Sequence, residues 1–545
     1  MKKFLSLILA LALCLGLSVP ATAVEEENEE MEADRAEIET VVETYLRECS
    51  EAIFLAKDHD FSRNTIYNQL NDKNAVSLQQ TLEARERNHL KLMIEIDPEP
   101  TKLEDFTDNL RFQNVRIEYL RRIHELYNIT YTQFNSSYTF EQVVVDGDYA
   151  FVSVCENLDY QYSGFDVQSS EQNMYNVSLI KKNGKWSILE VLSNDMFFLT
   201  HYKSSLVLEK EIRRLDSNAI QLSSDLAETD VEEVEGAAVP LAAGNIAYNR
   251  DNAINYALTY LSSADDGTGG VKPTWANSNM PWYSANCMNF ASQCIWAGFG
   301  GSNSSTDISN FYGMDTEGTS ESHKWYASKS ASSPSWRSCS NFRNYISNTE
   351  TGKVDMVCTT QEIASNSDNL IYAANALKGA AIQGRGLDNN NNPVALGHVV
   401  FVTQATGNAR NKVLVSAYNN NIRNKSLALV YPISSSVQAT DRLLIIIPGH
   451  MRNADTGFRL WASLCDVMPS GASVPIKGYA NKQCTTISVH IYNPSGTLAT
   501  VRNFSNTSSV STSYVCASKG LWKIVLTGTD SSNATQAFTY TIRVN

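Results

Sequence analysis

The chain has 545 residues, a formal net charge of −15 and a sequence pI near 5.1. This length exceeds that of one ordinary domain, so several domains are expected. The acidic balance argues against nucleic-acid binding, which requires a basic face, and is typical of a soluble protein surface.

The first 23 residues, MKKFLSLILALALCLGLSVPATA, predict a secretory signal peptide at 1–23. Lys2 and Lys3 precede a short apolar run, and small residues lead up to a predicted cleavage site after Ala23. A retained membrane anchor is the alternative, but an acidic segment at 25–30 follows at once. No later segment is apolar for long enough to span a bilayer. We therefore expect a secreted protein, extracellular or cell-wall associated, without a stable membrane span after cleavage.

Residues 33–198 are predicted to form an α+β domain. Apolar residues recur at helical spacing over 33–57 and 76–127, and alternating segments rich in Tyr, Val and Ile follow. The turns at 146–148 and 183–184 predict hairpins between these strands. Helices followed by a strand meander resemble nuclear-transport-factor-2-like domains in element order. The domain has no acid–base cluster, so we expect it to be non-catalytic.

Three further segments follow in the predicted multidomain α+β architecture. Residues 199–244 combine one more predicted helix with an acidic, Ala- and Gly-rich linker. A second globular domain is expected over 245–448, where acidic and basic residues are almost balanced. Short alternating strands separated by Ser, Thr, Asn and Gly turns predict a small β-sandwich over 452–545.

The cysteines of the chain are few and irregularly spaced. Ten are present, and loss of Cys14 with the signal peptide leaves nine, so at least one thiol stays unpaired. No C-x-x-C pair occurs, which argues against structural zinc and a thioredoxin-type site. Cys287 and Cys294 share one predicted helix, about 10 Å apart at 1.5 Å per residue, too far for a disulfide or a common metal ion. Cys294 is therefore predicted to pack in the core.

Cys287 begins that helix, after Asn286, which is expected to cap it by accepting a backbone N–H. The positive end of the helix dipole favours a thiolate, and the first N–H groups could stabilise an oxyanion. An inert buried thiol is the alternative. A nucleophilic cysteine needs a base, and His398 is preferred because it opens a strand. His323 lies in a Ser-rich, exposed loop, and His450 lies at the domain edge.

The strand that follows His398 leads into a predicted hairpin, VVFVTQ-ATGNARN-KVLVSAYNNN, with its turn centre near 408–410. This register places Tyr418, Asn419 or Asn420 opposite His398. A side-chain amide there could accept from the imidazole N–H and fix its orientation. Cysteine, histidine and asparagine in this order form the Cys-His-Asn arrangement of papain-like folds.

Residues 248–442 resemble the "putative amidase domain" family of secreted Gram-positive proteins, which is related to papain-like and NlpC/P60-type cysteine hydrolases. The family has a pattern Tyr-x-Arg then Ala-x-x-Tyr-Ala and a run Asp-Cys-Thr-Asn-Phe-x-Ser-Gln-Cys ending in Ala-Gly, and this chain matches both at most positions. The matching residues are Tyr248, Arg250, Ala253, Tyr256, Ala257, Cys287, Asn289, Phe290, Ser292, Gln293, Cys294, Ala297 and Gly298. A middle tryptophan region is matched loosely by Trp325, Trp336, Phe342 and Tyr345, and the family's strand-opening histidine by His398.

Three departures from the family pattern concern its acidic positions. Asn286 replaces the acid before the cysteine, and 379–381 reads Gly-Ala-Ala where the family has Gly-Asp. The family's His-Thr-x-Asp run reads Tyr-Asn-Asn-Asn at 418–421. Asn421 thus takes the place of the family's Asp, whereas Asn419 shares its strand face and is nearer the expected cross-strand position.

The resemblance implies a secreted cysteine amidohydrolase that cleaves amide or peptide bonds, with cell-wall peptidoglycan as the expected substrate. Cys287 would attack the carbonyl, His398 would act as base and then acid, and Asn419 or Asn421 would orient the imidazole. No metal or cofactor is expected. The altered acid positions leave open a degenerate domain that, with its flanking domains, binds wall polymer or a host surface. A sugar hydrolase finds little support, because no suggestive carboxylate pair occurs.

Overall fold

The structure is a computed structural model that describes residues 21–57, 65, 103–193, parts of 208–215 and, with short gaps, 246–544. The described chain is multidomain and consists mostly of β-sheet with some helices. Most of the predicted signal peptide and the predicted linker lie outside the described residues. No helix in the described part of the chain is both long and apolar enough to cross a membrane.

The first of two compact units comprises Met1–Ile117, Ser136–Glu156 and Asn173–Ser205. Its elements are α1 (Ala21–Phe54), the start of α2 (Leu103–Leu126), parts of β1 (Tyr131–Asp146), β2 (Tyr149–Tyr162) and β3 (Ser169–Lys182), and all of β4 (Lys185–Ser193). The helix predicted over 33–57 corresponds to α1, and the C-terminal part of the one predicted over 76–127 corresponds to α2. Residues 76–102 lie outside the described residues.

Both predicted turns of this unit are present. Gly147 lies between β1 and β2 at φ +60°, and Asn183 and Gly184 lie between β3 and β4 at φ +53° and +73°. Two successive positive φ values match the twist of a tight hairpin, which is why Asn-Gly serves there. The core of the unit packs Val42 and Leu46 of α1 against apolar residues of β2, β3 and β4.

The second unit comprises Glu118–Asn135, Asn157–Gln172 and Leu206–Asn545. Its central sheet has the order β10-β9-β8-β7-β11-β5, and β6 also pairs with β11. These strands are β5 (Ile246–Ala247), β6 (Met356–Ala364), β7 (Ala381–Leu387), β8 (Pro393–Ala405), β9 (Val413–Ala417), β10 (Ile422–Ser426) and β11 (Arg442–Met451). The end of β11 pairs with β5, which joins the beginning of this region to its end.

Short helices cover the sheet. They are α3 (Arg250–Thr259), α4 (Cys287–Gly298), α5 (Ser305–Ser309), α6 (Pro334–Arg337), α7 (Cys339–Ser347), α8 (Ala374–Leu377) and α9 (Leu427–Val430). Successive residues of a strand point to opposite faces. Val399 and Phe401 of β8 therefore join the core with α3, α4 and α7, whereas Val400 and Val402 join a second core with α8 and α9.

The C-terminal part of this unit forms a six-stranded sheet of order β12-β14-β16-β17-β13, with β15 paired to β14. The strands are β12 (Leu460–Ser463), β13 (Val467–Met468), β14 (Ser473–Tyr492), β15 (Leu498–Val515), β16 (Gly520–Asp530) and β17 (Thr535–Val544). Its core is formed by alternating apolar residues such as Ile487, Val489 and Ile491 of β14. The strand-rich character predicted for this region is therefore present.

Candidate active site

Cys287 is the first residue of α4 and is only 3% exposed. The prediction that Asn286 caps this helix with its side chain is wrong. The backbone of Asn286 is close to helical, at φ −112° and ψ −2°, whereas a capping residue is usually extended. Its Oδ1 instead accepts a hydrogen bond from Nδ2 of Asn289 at 2.8 Å. The Asn286 side chain therefore leaves the N–H groups of the first turn uncapped.

A second thiol lies beside Cys287. The Sγ atoms of Cys287 and Cys339 are 4.0 Å apart, and Cys339 is the first residue of α7. Sequence reasoning missed this pair because 52 residues separate the two cysteines and no local pattern links them. No disulfide joins any of the eight cysteines within the described residues.

His398 lies on β8 next to Cys287 and is 3% exposed. Its backbone carbonyl accepts a hydrogen bond from the Tyr431 hydroxyl at 2.9 Å, and that hydroxyl in turn accepts from the backbone N–H of Gly384 at 3.2 Å. Neither ring nitrogen of His398 has a partner of standard hydrogen-bond geometry among the described residues. Its interaction with the thiol therefore falls short of a complete hydrogen bond.

The surroundings of Cys287 favour its thiolate. The hydrogen bond from the Cys339 thiol has the largest effect and lowers the pKa of Cys287 well below its usual value. Burial opposes this shift, while the neighbouring His398 and a backbone hydrogen bond from Val399 lower the pKa of Cys287 further. Cys339 is the donor to Cys287 and is itself buried, and both effects raise the pKa of Cys339. The pair thus favours a thiolate at Cys287 and a neutral thiol at Cys339.

Gln383 is a further polar residue at this site that the sequence did not single out. It lies on β7 opposite Val399 of β8 and is 1% exposed. Its amide interacts with the Cys339 thiol and holds down the pKa of that group against the larger effects that raise it. Neither its Nε2 nor its Oε1 has a partner of standard hydrogen-bond geometry among the described residues. A glutamine inside a strand carries no sequence signal that would have identified it.

Asn419 and Asn421 are the two residues predicted to orient His398. Asn419 lies outside the described residues, so its role stays a prediction. Asn421 precedes β10 at φ +44°, and its side chain donates a hydrogen bond to Oε1 of Gln172. No hydrogen bond joins Asn421 to His398 in the described structure. Tyr418, the third residue considered there, packs its ring 4.3 Å from that of Phe290 on α4.

The predicted hairpin that follows His398 is present as β8 and β9. Phe401 pairs with Ser416 and Val402 with Val415, so the midpoint of this register falls at 408–409, within the predicted turn centre. His398 is also the one of the three candidate histidines whose proximity lowers the pKa of Cys287. His323 lies in a short 3₁₀ turn, Glu321–His323, and His450 lies on β11.

The polar residues of the α4 sequence run bind aromatic side chains. Asn289 accepts a hydrogen bond from the Trp336 indole at 2.8 Å, and Ser292 accepts from the Trp325 indole at 3.1 Å. Gln293 accepts from the Tyr256 hydroxyl at 2.7 Å. These bonds fix the buried helix and thereby the position of Cys287 at its start.

Two further residues of the run serve packing. Cys294 is fully buried, as predicted, and burial raises the pKa of its thiol well above the usual value. Gly298 packs directly against Tyr248, since a Cβ atom at Gly298 would lie 2.0 Å from the Tyr248 ring. No group of three or more His, Cys, Asp and Glu side chains in the described ranges is arranged to hold a metal ion.

Comparisons with known proteins support an amidase at a coarse level. Residues 247–439 match the family model described as "Putative amidase domain", which suggests an amide hydrolase. Among curated proteins, none matches the chain.

Some solved structures match parts of the chain, with low TM-scores. The superoxide reductase (neelaredoxin) from Ignicoccus hospitalis is 6% identical, with 17% of this chain and 88% of that chain covered and a TM-score of 0.15. The sulfur carrier protein SoxY from Chlorobium limicola f thiosulfatophilum is 14% identical, with coverage of 16% and 78% and a TM-score of 0.13. A tetra-tandem repeat in the extending region of a large adhesion protein is 11% identical, with coverage of 35% and 49% and a TM-score of 0.15.

Proposed function

We propose that residues 247–439 are a cysteine-dependent amidohydrolase in which Cys287 is the nucleophile and His398 the general base. The observation that carries the proposal is the position of Cys287. Its thiol starts a buried helix, lies 4.0 Å from Cys339, and has a pKa lowered by Cys339 and His398. Activated cysteine nucleophiles occur in such settings, because a nearby base or donor stabilises the thiolate.

The reaction follows from this arrangement. The Cys287 sulfur attacks the amide carbonyl carbon, and the carbonyl electrons move to the oxygen, which becomes an oxyanion near the start of α4. Backbone N–H groups at a helix start stabilise such an oxyanion. His398 takes the thiol proton and gives it to the leaving amine as the C–N bond breaks. Water then attacks the thioester, His398 accepts its proton, and the acid is released with the Cys287 thiol restored.

We place the substrate among the amide or peptide bonds of cell-wall peptidoglycan. The support is the predicted signal peptide at 1–23 together with the sequence resemblance to secreted Gram-positive amidases. The same resemblance supports a papain-like fold and a relation to NlpC/P60-type hydrolases. The flanking regions are proposed to be a nuclear-transport-factor-2-like domain at 33–198 and a β-sandwich at 452–545, both non-catalytic.

Asn419 is the proposed orienting residue for His398. The support is the β8–β9 register, which agrees with the turn centre from which Asn419 was predicted. Replacing Asn419 by alanine should lower kcat by about 10- to 100-fold, since a wrongly oriented imidazole cannot relay the proton. Asn421→Ala is the matched control, because Asn421 binds Gln172. Equal losses in the two variants would contradict this assignment.

A catalytically degenerate domain that binds wall polymer or a host surface is the second candidate. It is favoured by Asn421, which stands where the related family has an acid and which binds Gln172 rather than His398. Asn286, in place of the acid before the nucleophile, points the same way. A binding protein would retain peptidoglycan without releasing fragments from it.

Digestion of purified peptidoglycan tests the proposal and separates the two candidates. Wild-type protein should release soluble fragments with new amino and carboxyl ends, identified by mass, and Cys287→Ala should release none. Cys294→Ala is the matched control, because it removes a thiol from the same helix, two turns away. Binding without fragments, equal in wild type and Cys287→Ala, would reject an amidohydrolase acting on peptidoglycan and favour the binding protein.

A further inference from the structure

We propose that Cys287 and Cys339 form a two-cysteine oxidation site, in which a hydroperoxide oxidises Cys287 and Cys339 then closes a disulfide that reversibly masks it. This goes beyond the proposed hydrolysis, because it requires two neighbouring thiols and an oxidant but no amide substrate. It would hold equally if the domain bound its ligand without cleaving it.

The geometry of the two sulfur atoms carries the proposal. They are 4.0 Å apart in the reduced protein. A disulfide requires about 2.05 Å between sulfurs, so the two atoms must approach each other by about 2 Å. Each cysteine is the first residue of its own helix, α4 or α7. Rotation about Cα–Cβ at a helix end moves a sulfur without displacing the turns that pack in the core.

The two thiols are prepared for different roles in this chemistry. Cys287 accepts a hydrogen bond from Cys339, and the low pKa of Cys287 supplies the thiolate that attacks peroxides. Cys339 keeps its proton, because donation to Cys287 and burial both raise its pKa. Redox-active cysteines are commonly placed next to a second cysteine that resolves the first oxidation product.

The proposed reaction proceeds in two balanced steps. The Cys287 thiolate attacks one oxygen of the hydroperoxide, an S–O bond forms, the O–O bond breaks, and hydroxide or alkoxide leaves. Cys287 is thereby oxidised to a sulfenic acid and the peroxide is reduced. The Cys339 sulfur then attacks the Cys287 sulfur, the S–S bond forms and the S–O bond breaks. The departing hydroxide takes the Cys339 thiol proton and leaves as water, and a dithiol reverses the bond by exchange.

The polar groups around the pair suit a small oxygen compound. His398 and Gln383 are 3% and 1% exposed, and the polar atoms of both side chains lack partners of standard geometry within the described residues. Both interact with the thiol pair, His398 with Cys287 and Gln383 with Cys339. Buried polar groups normally have hydrogen-bond partners, so these two can serve the peroxide oxygens and the departing hydroxide.

The test is peptide mass mapping after oxidation. Reduced full-length protein is treated with hydrogen peroxide, remaining thiols are blocked, and the protein is digested. Wild type should yield a peptide in which Cys287 and Cys339 are linked, and dithiothreitol should abolish it. Cys339→Ser should lose the link, and a dimedone adduct of sulfenic acid should accumulate at Cys287. Cys294→Ala is the matched control and should form the link as wild type does.

The proposal is overturned if wild type gives no linked peptide, whether Cys287 stays reduced or is oxidised to sulfinic acid as fast as in Cys339→Ser. Circular dichroism checks the fold of each variant, and should Cys339→Ser not fold, the wild-type linkage map decides alone. Because the readout is a mass and not hydrolysis, this result is independent of the peptidoglycan experiment. A linked peptide without amidase activity would leave the oxidation site standing and the proposed hydrolysis rejected.

Discussion

Replacing Cys339 by alanine should raise the pKa of Cys287, and replacing it by serine should not. The Cys339 thiol donates the hydrogen bond that has the largest effect on Cys287. Alanine removes that donor, whereas the serine hydroxyl retains one in nearly the same position. Neither alanine nor serine at position 339 has a thiol that could compete with Cys287 for a labelling reagent. The two variants therefore differ mainly in the presence of this hydrogen bond.

The size of the effect follows from the strength of the bond. A hydrogen bond to a charged group contributes about 1.5–3 kcal/mol, and one pKa unit corresponds to about 1.36 kcal/mol. The pKa of Cys287 should therefore rise by about one to two units in Cys339→Ala. At a pH below both pKa values, the thiolate fraction and the alkylation rate should fall by about 10- to 100-fold.

The assay is the rate of iodoacetamide labelling at Cys287, measured by peptide mass from acidic pH up to the ordinary thiol pKa of about 8.5. Cys294 provides an internal control, since burial raises its pKa and it should stay unlabelled in the folded protein. Identical pH profiles for wild type, Cys339→Ala and Cys339→Ser would refute the reasoning, because Cys339 would then contribute nothing to the thiolate.

Three further outcomes concern stability. Gln383→Leu should raise the free energy of unfolding in urea by about 1–2 kcal/mol, because it removes a buried amide without a standard partner, and a decrease would contradict this. Gly298→Ala should lower the free energy of unfolding by about 1–3 kcal/mol, because the new Cβ clashes with Tyr248. The same substitution should cost less in a Tyr248→Ala background, and additive effects of the two substitutions would contradict this. The pKa of Cys287 is lower in the folded than in the unfolded protein, so its thiolate stabilises the fold. The free energy of unfolding of wild type relative to Cys287→Ala should therefore be largest above about pH 8.5, the usual thiol pKa, and this difference should be lost as the pH falls through the lowered pKa of folded Cys287. Urea unfolding at several pH values measures this, and a pH-independent difference would contradict it.

The parts of the site that could be predicted from the sequence are governed by local patterns. The apolar run with Gly298 at its end indicates a buried helix, and the helix spans Cys287–Gly298. Alternation around a Gly-Asn turn indicates the β8–β9 hairpin, whose register is as expected. In each segment the conformation is determined by residues that are close together in the sequence. The burial of Cys294 and the strand position of His398 could therefore be predicted.

The missed features depend on contacts between distant segments. Cys339 and Gln383 reach the site through the packing of α7 and β7, and neither residue carries a local pattern that indicates this. The incorrect cap at Asn286 has a local origin instead. A sequence rule assumes an extended Asn286, but Asn289 engages its side chain and the backbone is close to helical.

A polar residue of the α4 run explains how the two thiols come together. Asn289 lies two residues after Cys287, and Trp336 lies three residues before Cys339. The Trp336 indole donates to Asn289 at 2.8 Å, and both side chains are buried. This bond ties the first turn of α4 to α6, which directly precedes α7, and so sets the distance between the two sulfur atoms. The α4 run thus supplies more than Cys287, because its Asn289 also positions the second thiol, which lies outside the run.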